Sequence, residues 1–225
     1  MAKIFLIKIS DLITEIEYSD ERIVKICRDY IVNSGKADIK AVFETSDDFS
    51  LNLSELYRQI AEQLPSFSRA VFHGAVVSYK QNAYMFIAKS GTGKTTHINL
   101  WRKYINGVGI INGDKPIISA NGKSIVAYGT PWAGKENLQS NTCAPIKGIC
   151  VIKRTKTNSI RKLNKTEALS AIMKQVYIPR NENALNLTMG IIDDIITTVP
   201  FYELSCDISR EAVKCSFESM TGENM

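Results

Sequence analysis

Short runs in which apolar and polar residues alternate open the chain. Lys3-Ile-Phe-Leu-Ile-Lys8, Ile13-Thr-Glu-Ile-Glu-Tyr18 and Asp38-Ile-Lys-Ala-Val-Phe43 carry the twofold period of half-buried strands, while Asp20 to Val32 and Leu53 to Gln63 carry helical spacing. Residues 1–65 are therefore expected to form a small N-terminal α/β lobe. The turn-rich Pro65-Ser-Phe-Ser68 marks its boundary with a second unit over 66–225. That unit begins with a strand, Ala70 to Tyr79, which turns at Lys80-Gln-Asn82 into the apolar run Ala83-Tyr-Met-Phe-Ile-Ala88. A helix from Thr95 to Tyr104 and a strand from Val108 to Asp114 follow.

The remaining pattern is also mixed. Gly148 to Lys153 and Ser159 to Leu163 read as strands of a hairpin joined by Thr155-Lys-Thr-Asn158. Asn164 suits a helix cap, with helical spacing continuing to Tyr177. A further helix is expected from Asn183 to Thr198, with Asp193-Asp194 on its solvated face, and Phe201 to Cys206 and Ser209 to Glu218 complete the chain as strand and helix.

Composition narrows the class without naming a function. A chain of 225 residues, 44% hydrophobic and 23% charged, can bury a sizeable α/β core. No apolar stretch approaches the roughly 20 residues of a membrane span, and Met1 to Lys8 is too soon interrupted for a secretory signal. A cytoplasmic protein with no membrane partner is the expectation. The five scattered cysteines suggest neither a disulfide framework nor a zinc site. The formal charge of +5 is partly local, with Lys153, Arg154, Lys156, Arg161, Lys162 and Lys165 in one stretch. These residues either receive an acidic partner or face water on the hairpin; without interleaved aromatics, a nucleic-acid partner is not favoured.

Chemistry enters between the strand ending at Ala88 and the helix opening at Thr95. Ala88-Lys-Ser-Gly-Thr-Gly-Lys-Thr-Thr96 follows the pattern G-x-x-x-x-G-K-[ST] with only its first position changed. In such a loop Gly91 and Gly93 let successive amides point at phosphate oxygens. The nucleotide-binding set is Ser90, Gly91, Thr92, Gly93, Lys94, Thr95 and Thr96, with Lys94 on the β- and γ-phosphates and Thr95 on Mg²⁺. The plainer alternative is a glycine-rich turn joining strand to helix. Asp114, at the tip of a neighbouring strand, is the second candidate metal ligand, though Gly-Asp-Lys-Pro is also a good turn sequence.

Ser90-Gly-Thr-Gly-Lys-Thr-Thr96, with His73-Gly-Ala-Val-Val77 before it and Asn112-Gly-Asp114 after it, resembles the core shared by HPr kinase/phosphorylases and phosphoenolpyruvate carboxykinases. The resemblance is clear over about residues 70 to 120. It implies an α/β P-loop kinase core of that type, ATP and Mg²⁺ as cofactors, and His73, Lys94 and Asp114 as the catalytic set. A core histidine at a strand end is the alternative for His73. The acceptor implied is a protein or peptide serine, or a small metabolite, and because related kinases form closed oligomers a homo-oligomer is allowed. The chain departs from the pattern where those families carry paired aspartates. In one register Gly113 stands where the general base belongs and Asp114 is the metal ligand; in the other Asp114 is the base and Lys115 replaces the ligand. A non-catalytic ATP-binding sensor is therefore the competing function. The segment Tyr128-Gly-Thr-Pro-Trp-Ala-Gly-Lys-Glu-Asn137 has the character of a substrate loop, with Trp132 and Lys135 as candidates, or of a tight loop pinned by a buried tryptophan.

Overall fold

The computed structural model describes residues 3–44, 48–122 and 124–225. The alternating N-terminal runs form strands β1 (Lys3–Ile9) and β2 (Leu12–Tyr18), joined by a tight turn in which Ser10 and Asp11 take positive φ. Helix α1 (Arg22–Cys27) is shorter than the predicted Asp20–Val32. It tightens into a 3-10 turn at Arg28–Tyr30, and Ile31–Val32 leave the helix as strand β3, pairing with Leu6 and Ile7 of β1. The β-branched pair favours the extended state, and an open sheet edge was there to receive it. Strand β4 (Ile39–Phe43) and helix α2 (Phe49–Gln63) complete this part, whose four-stranded sheet runs β3-β1-β2-β4. Asp48 caps α2, its carboxylate accepting from the amides of Ser50 and Leu51.

A 3-10 turn at Leu64–Phe67 leads to β5 (Arg69–Val71) and β6 (Ala75–Tyr79). The single strand expected over Ala70–Tyr79 is thus broken at 72–74. β5 pairs with β9 (Ile117–Asn121), whereas β6 pairs with β7 (Asn82–Ile87) and β8 (Gly109–Asn112), so the chain crosses from one half of a sheet to the other at His73. Helix α3 (Lys94–Tyr104) lies between β7 and β8. The nine-stranded sheet is extended by β10 (Ser124–Tyr128), the long β11 (Cys143–Arg154), β12 (Ser159–Lys162) and β13 (Phe201–Cys206). Its principal order is β5-β9-β10-β11-β7-β6-β8. β11 pairs antiparallel with β10 near its start and parallel with β7 farther on, with a register shift between Ile146 and Gly148 that lets one strand serve both halves of a curled sheet.

The predicted hairpin of β11 and β12 is corrected. β13 lies between them, parallel to β11 and antiparallel to β12. Burial explains the order: Phe201, Tyr202, Leu204 and Cys206 of β13 are buried and need cover on both faces, while Ser-Ile-Arg-Lys of β12 is mostly exposed and suits an edge. Helices α4 (Lys165–Ile172), α5 (Glu182–Thr198) and α6 (Arg210–Thr221) cover the sheet. Asn164 makes a reciprocal capping box with Glu167, and Asn181 caps α5 two residues ahead of the expected start.

One face of the sheet packs on α3 and α6. Trp101 contacts Tyr84, Phe86 and Phe217 with ring centroids 5.3–5.6 Å apart, and its indole N–H donates to Ser216 at 2.8 Å. Burial pushes the neighbouring His97 down to about 4, so the ring is neutral beside Ser216. This core fixes α3 rigidly behind the loop that precedes it. Because β6 is antiparallel to both β7 and β8, those two run the same way. β11 and β13 share that direction. The C-terminal ends of β8, β7, β11 and β13 therefore collect along one edge, where ligand sites of open α/β sheets form. No helix among the described residues is long and apolar enough to cross a membrane.

Candidate active site

The segment Ala88–Gly93 connects β7 to α3 at that edge. Gly91 and Gly93 take φ of +78° and +116°, values that side chains resist, and Gly93 is the N-cap of α3. No side chain caps the helix, so its first-turn amides and the positive end of its dipole are left to an external acceptor. Ser90 and Gly91 are exposed, and a Cβ built on Gly91 would meet nothing within 4 Å. Thr92 and Thr95 are half-buried and Thr96 is exposed.

Lys94 folds back under the loop. Its ammonium donates to the Ala88 carbonyl at 3.3 Å and lies 3.0 Å from Nε2 of His73. Burial moves the Lys94 pKa downward, and the attraction of Asp114 opposes that shift. His73 is held from both sides: its amide donates to Gln175 O at 2.7 Å, the Gly74 amide to Asp114 O at 2.9 Å, and the Phe72 amide to Pro116 O at 3.1 Å. Its Nε2 stands 3.4 Å from Asp114 Oδ1, and Lys115 Nζ donates to Asp114 Oδ2 at 2.9 Å. Burial alone would raise the Asp114 carboxyl, but hydrogen bonds from His73 and Lys115 together with their charge outweigh it and hold the group at about 2. Lys94, His73, Asp114 and Lys115 thus form one continuous cluster. A single Nε2 cannot accept from Lys94 and donate to Asp114 at once, so drawing Lys94 onto a phosphate would release it toward the carboxylate.

The turn that presents Asp114 is built on a buried polar network. Asn112 Oδ1 accepts from the amides of Asp114 and Lys115 at 2.9 and 2.7 Å, and its amide nitrogen donates to Thr130 O and Oγ1 at 3.1 and 3.0 Å. The Thr130 hydroxyl donates in turn to Lys115 O at 2.7 Å. Every polar atom of the Asn112 side chain is satisfied, which makes the turn stiff. Both residues stand in the strings singled out in the sequence without a role of their own; the signal for one was an Asx-turn pattern at Asn112, two residues before Asp114. At Gly113 a Cβ would lie 3.1 Å from Leu138 Cβ and 3.3 Å from its carbonyl. A side chain at 113 would need Leu138 to give by a few tenths of an ångström, and with glycine there Asp114 is the carboxylate of this turn.

The 131–137 segment reaches the same carboxylate. Gly134, at φ +70°, places its backbone so close that a Cβ would sit 3.1 Å from Asp114 Cβ and 3.4 Å from Oδ2. Trp132 lines the same cavity as Asp114 and Lys115. It is 6% exposed and stacks edge-on against Tyr57 of α2 at 5.3 Å, whereas Lys135 is exposed. The buried tryptophan pins a stretch whose Gly134 backbone lies against Asp114.

Magnesium would find one ionised carboxylate, Asp114, and one hydroxyl, Thr95. Among the described residues no cluster of three His, Cys, Asp or Glu exists to hold a metal. That donor set fits Mg²⁺, which keeps several waters and takes its other oxygens from a nucleotide's phosphates, and does not fit a metal caged by protein alone.

The solved structure of the Hpr(Ser) kinase/phosphatase from Coxiella burnetii is similar to this chain with a TM-score of 0.39 and 9% identity, over 68% of this chain and 88% of that one. No family model and no curated protein matches the sequence. A likeness this loose says nothing of the chemistry of the site, which rests on its own residues and their geometry.

Arg154 is the site residue hidden in the sequence. It ends β11, and its Nη2 would lie 3.6 Å from a Cβ on Gly93. Its neighbours are neutralised, Lys153 by Glu203 and Arg161 by Glu167 and Glu203, but Arg154 has no carboxylate partner among the described residues. An unpaired guanidinium beside an open helix N-terminus is suited to phosphate. Arg154→Ala is expected to weaken ATP binding about tenfold by calorimetry, the loss of one charge-assisted hydrogen bond, with an unchanged thermal midpoint because the side chain is exposed. An unchanged Kd would remove it from the site.

Proposed function

We propose that this protein is an ATP- and Mg²⁺-dependent phosphotransferase that moves the γ-phosphate onto a hydroxyl acceptor. The observation that carries the reading is the contact chain Lys94–His73–Asp114, 3.0 and 3.4 Å long, at the uncapped start of α3. A cation already turned under a glycine loop is placed to meet the β- and γ-phosphates by exchanging His73 for a phosphate oxygen. The loop amides and Arg154 take the remaining phosphate charge, so the site supplies mainly position and electrostatics, as phosphoryl transfer requires. Mg²⁺, when bound to Asp114, Thr95 and the nucleotide, would offset charge on the bridging oxygens. In the other register, with Thr95 and the nucleotide alone on the metal, Asp114 receives the proton of the attacking hydroxyl. A serine kinase of the HPr kinase type is one form of this activity, and a kinase of small metabolites is another.

The test is transfer of γ-labelled phosphate from ATP with Mg²⁺ into a cell extract, comparing the intact chain with Lys94→Ala. Label that appears in a protein, peptide or metabolite fraction and falls at least about a hundredfold in the variant supports the transferase, since removing one preorganised charge-stabilising donor costs that much.

One observation favours a second reading, an ATP-binding sensor. With glycine at 113 the turn offers no second carboxylate, and a group held at about 2 is a weak base. Lys94-dependent ATP binding with turnover at background in every fraction would establish the sensor.

A further inference from the structure

His73 lines one cavity and Asp114 another, and the two side chains are 3.4 Å apart. The larger, about 950 Å³, runs along the glycine loop and is lined by His73, Ser90 and Thr92. The smaller, about 450 Å³, lies between α2 and the 131–137 segment, and Asp114, Lys115 and Trp132 lie in its wall. If the triphosphate lies along the loop with its γ-phosphate at Lys94 and His73, the cavity walled by Asp114 is the neighbouring one. An in-line displacement needs its acceptor beside that phosphate.

From this arrangement we infer that the cavity between α2 and residues 131–137 is the acceptor subsite, and that it takes a small hydroxyl compound bearing an anionic group. This rests on the transferase reading. The volume is that of a small-molecule site. Leu53 and Tyr57 supply an apolar wall for the hydrocarbon part. The charge of Asp114 is already offset by Lys115 and His73, while Lys135 is an exposed cation with no carboxylate partner among the described residues. The cavity wall therefore carries a carboxylate already offset and a cation that is not. In the reaction the acceptor oxygen forms a bond to the γ-phosphorus as the β–γ bridging bond breaks. ADP leaves with that electron pair, and the hydroxyl proton passes to Asp114 and then to water.

The experiment uses the full chain, γ-labelled ATP with Mg²⁺, and an extract split by ultrafiltration into a low-molecular-mass filtrate and a protein retentate. A portion of the filtrate is first stripped over an anion-exchange resin. Variants are Lys135→Ala and Ser54→Trp, the latter filling the cavity from an exposed position of α2. Expected is a labelled filtrate compound other than phosphate or ATP, lost after the resin. Lys135→Ala should raise the filtrate concentration for half-maximal transfer at least about tenfold with the KM for ATP unchanged, the cost of one charge-assisted contact. Ser54→Trp should abolish transfer with ATP binding intact. Label confined to the retentate, label that survives the resin, or variants that leave the filtrate dependence unmoved overturns the subsite while the transferase stands. No label in any fraction, with Lys94-dependent ATP binding retained, overturns the transferase and the subsite with it.

Discussion

Replacing Asp114 by asparagine is expected to slow phosphoryl transfer by at least about a thousandfold while ATP binds within a few-fold of its native affinity, because base and charge-positioning roles of this size fall on one carboxylate. Asparagine keeps the shape of the side chain and can still accept from Lys115, so the turn set by Asn112 and Thr130 is preserved. What is lost is the negative charge facing Lys94 and His73. A triphosphate arriving in a more cationic site is held no less tightly, which is why binding and turnover should separate. Equal losses of both would mean that Asp114 serves the fold and not the reaction. Unchanged turnover at a background level would favour the sensor.

The same carboxylate ties stability to pH. Its folded pKa, about 2, lies below the ordinary aspartate value, so the folded state binds the proton less readily than the unfolded chain. The contribution is fully present above the unfolded value and is lost as pH falls through the folded one, between roughly pH 4 and 2, and amounts to about 2 kcal/mol. The asparagine variant should show a flatter acid limb in denaturant titrations.

Much of this site was legible because its signals are local. A glycine loop between an apolar strand and a helix dictates its own conformation, and Gly91 and Gly93 have the positive φ that the spacing implied. Asp114 was readable from its place after an apolar strand. What could not be read was decided by strand order. The basic cluster at 153–165 looked like a solvated hairpin because its two strands are adjacent in sequence. β13, some forty residues farther on, separates them and leaves Arg154 at the loop. The break at 72–74, which aims His73 at Lys94, also depends on distant partners: the amides there bond to residues 114, 116 and 175. Periodicity reports which face of a strand is buried, not which strand lies beside it.

The largest effect on the fold is expected from Trp132→Ala, a loss of about 3–5 kcal/mol in denaturant unfolding. Trp132 sits at 6% exposure in a cluster with Leu56, Ile60 and Ile117, packed against Tyr57. Removing it opens a cavity between α2 and the 131–137 segment, and a loss of that size is a large fraction of ordinary domain stability. The tryptophan has a second consequence, because the glycine that touches Asp114 is only two residues away. A segment freed from its anchor no longer holds Gly134 against the carboxylate, so transfer should fall at temperatures where the variant is still folded, with the KM for ATP unmoved. Trp132→Phe separates the two effects. The indole nitrogen is buried without a protein partner, so phenylalanine gives up some volume but also removes an unsatisfied donor, and the net cost should be about 1 kcal/mol. Activity restored by phenylalanine, alongside most of the stability, would show that packing on Tyr57 is what positions the segment. If phenylalanine restored stability and left transfer impaired, the indole itself would have a role in the acceptor cavity.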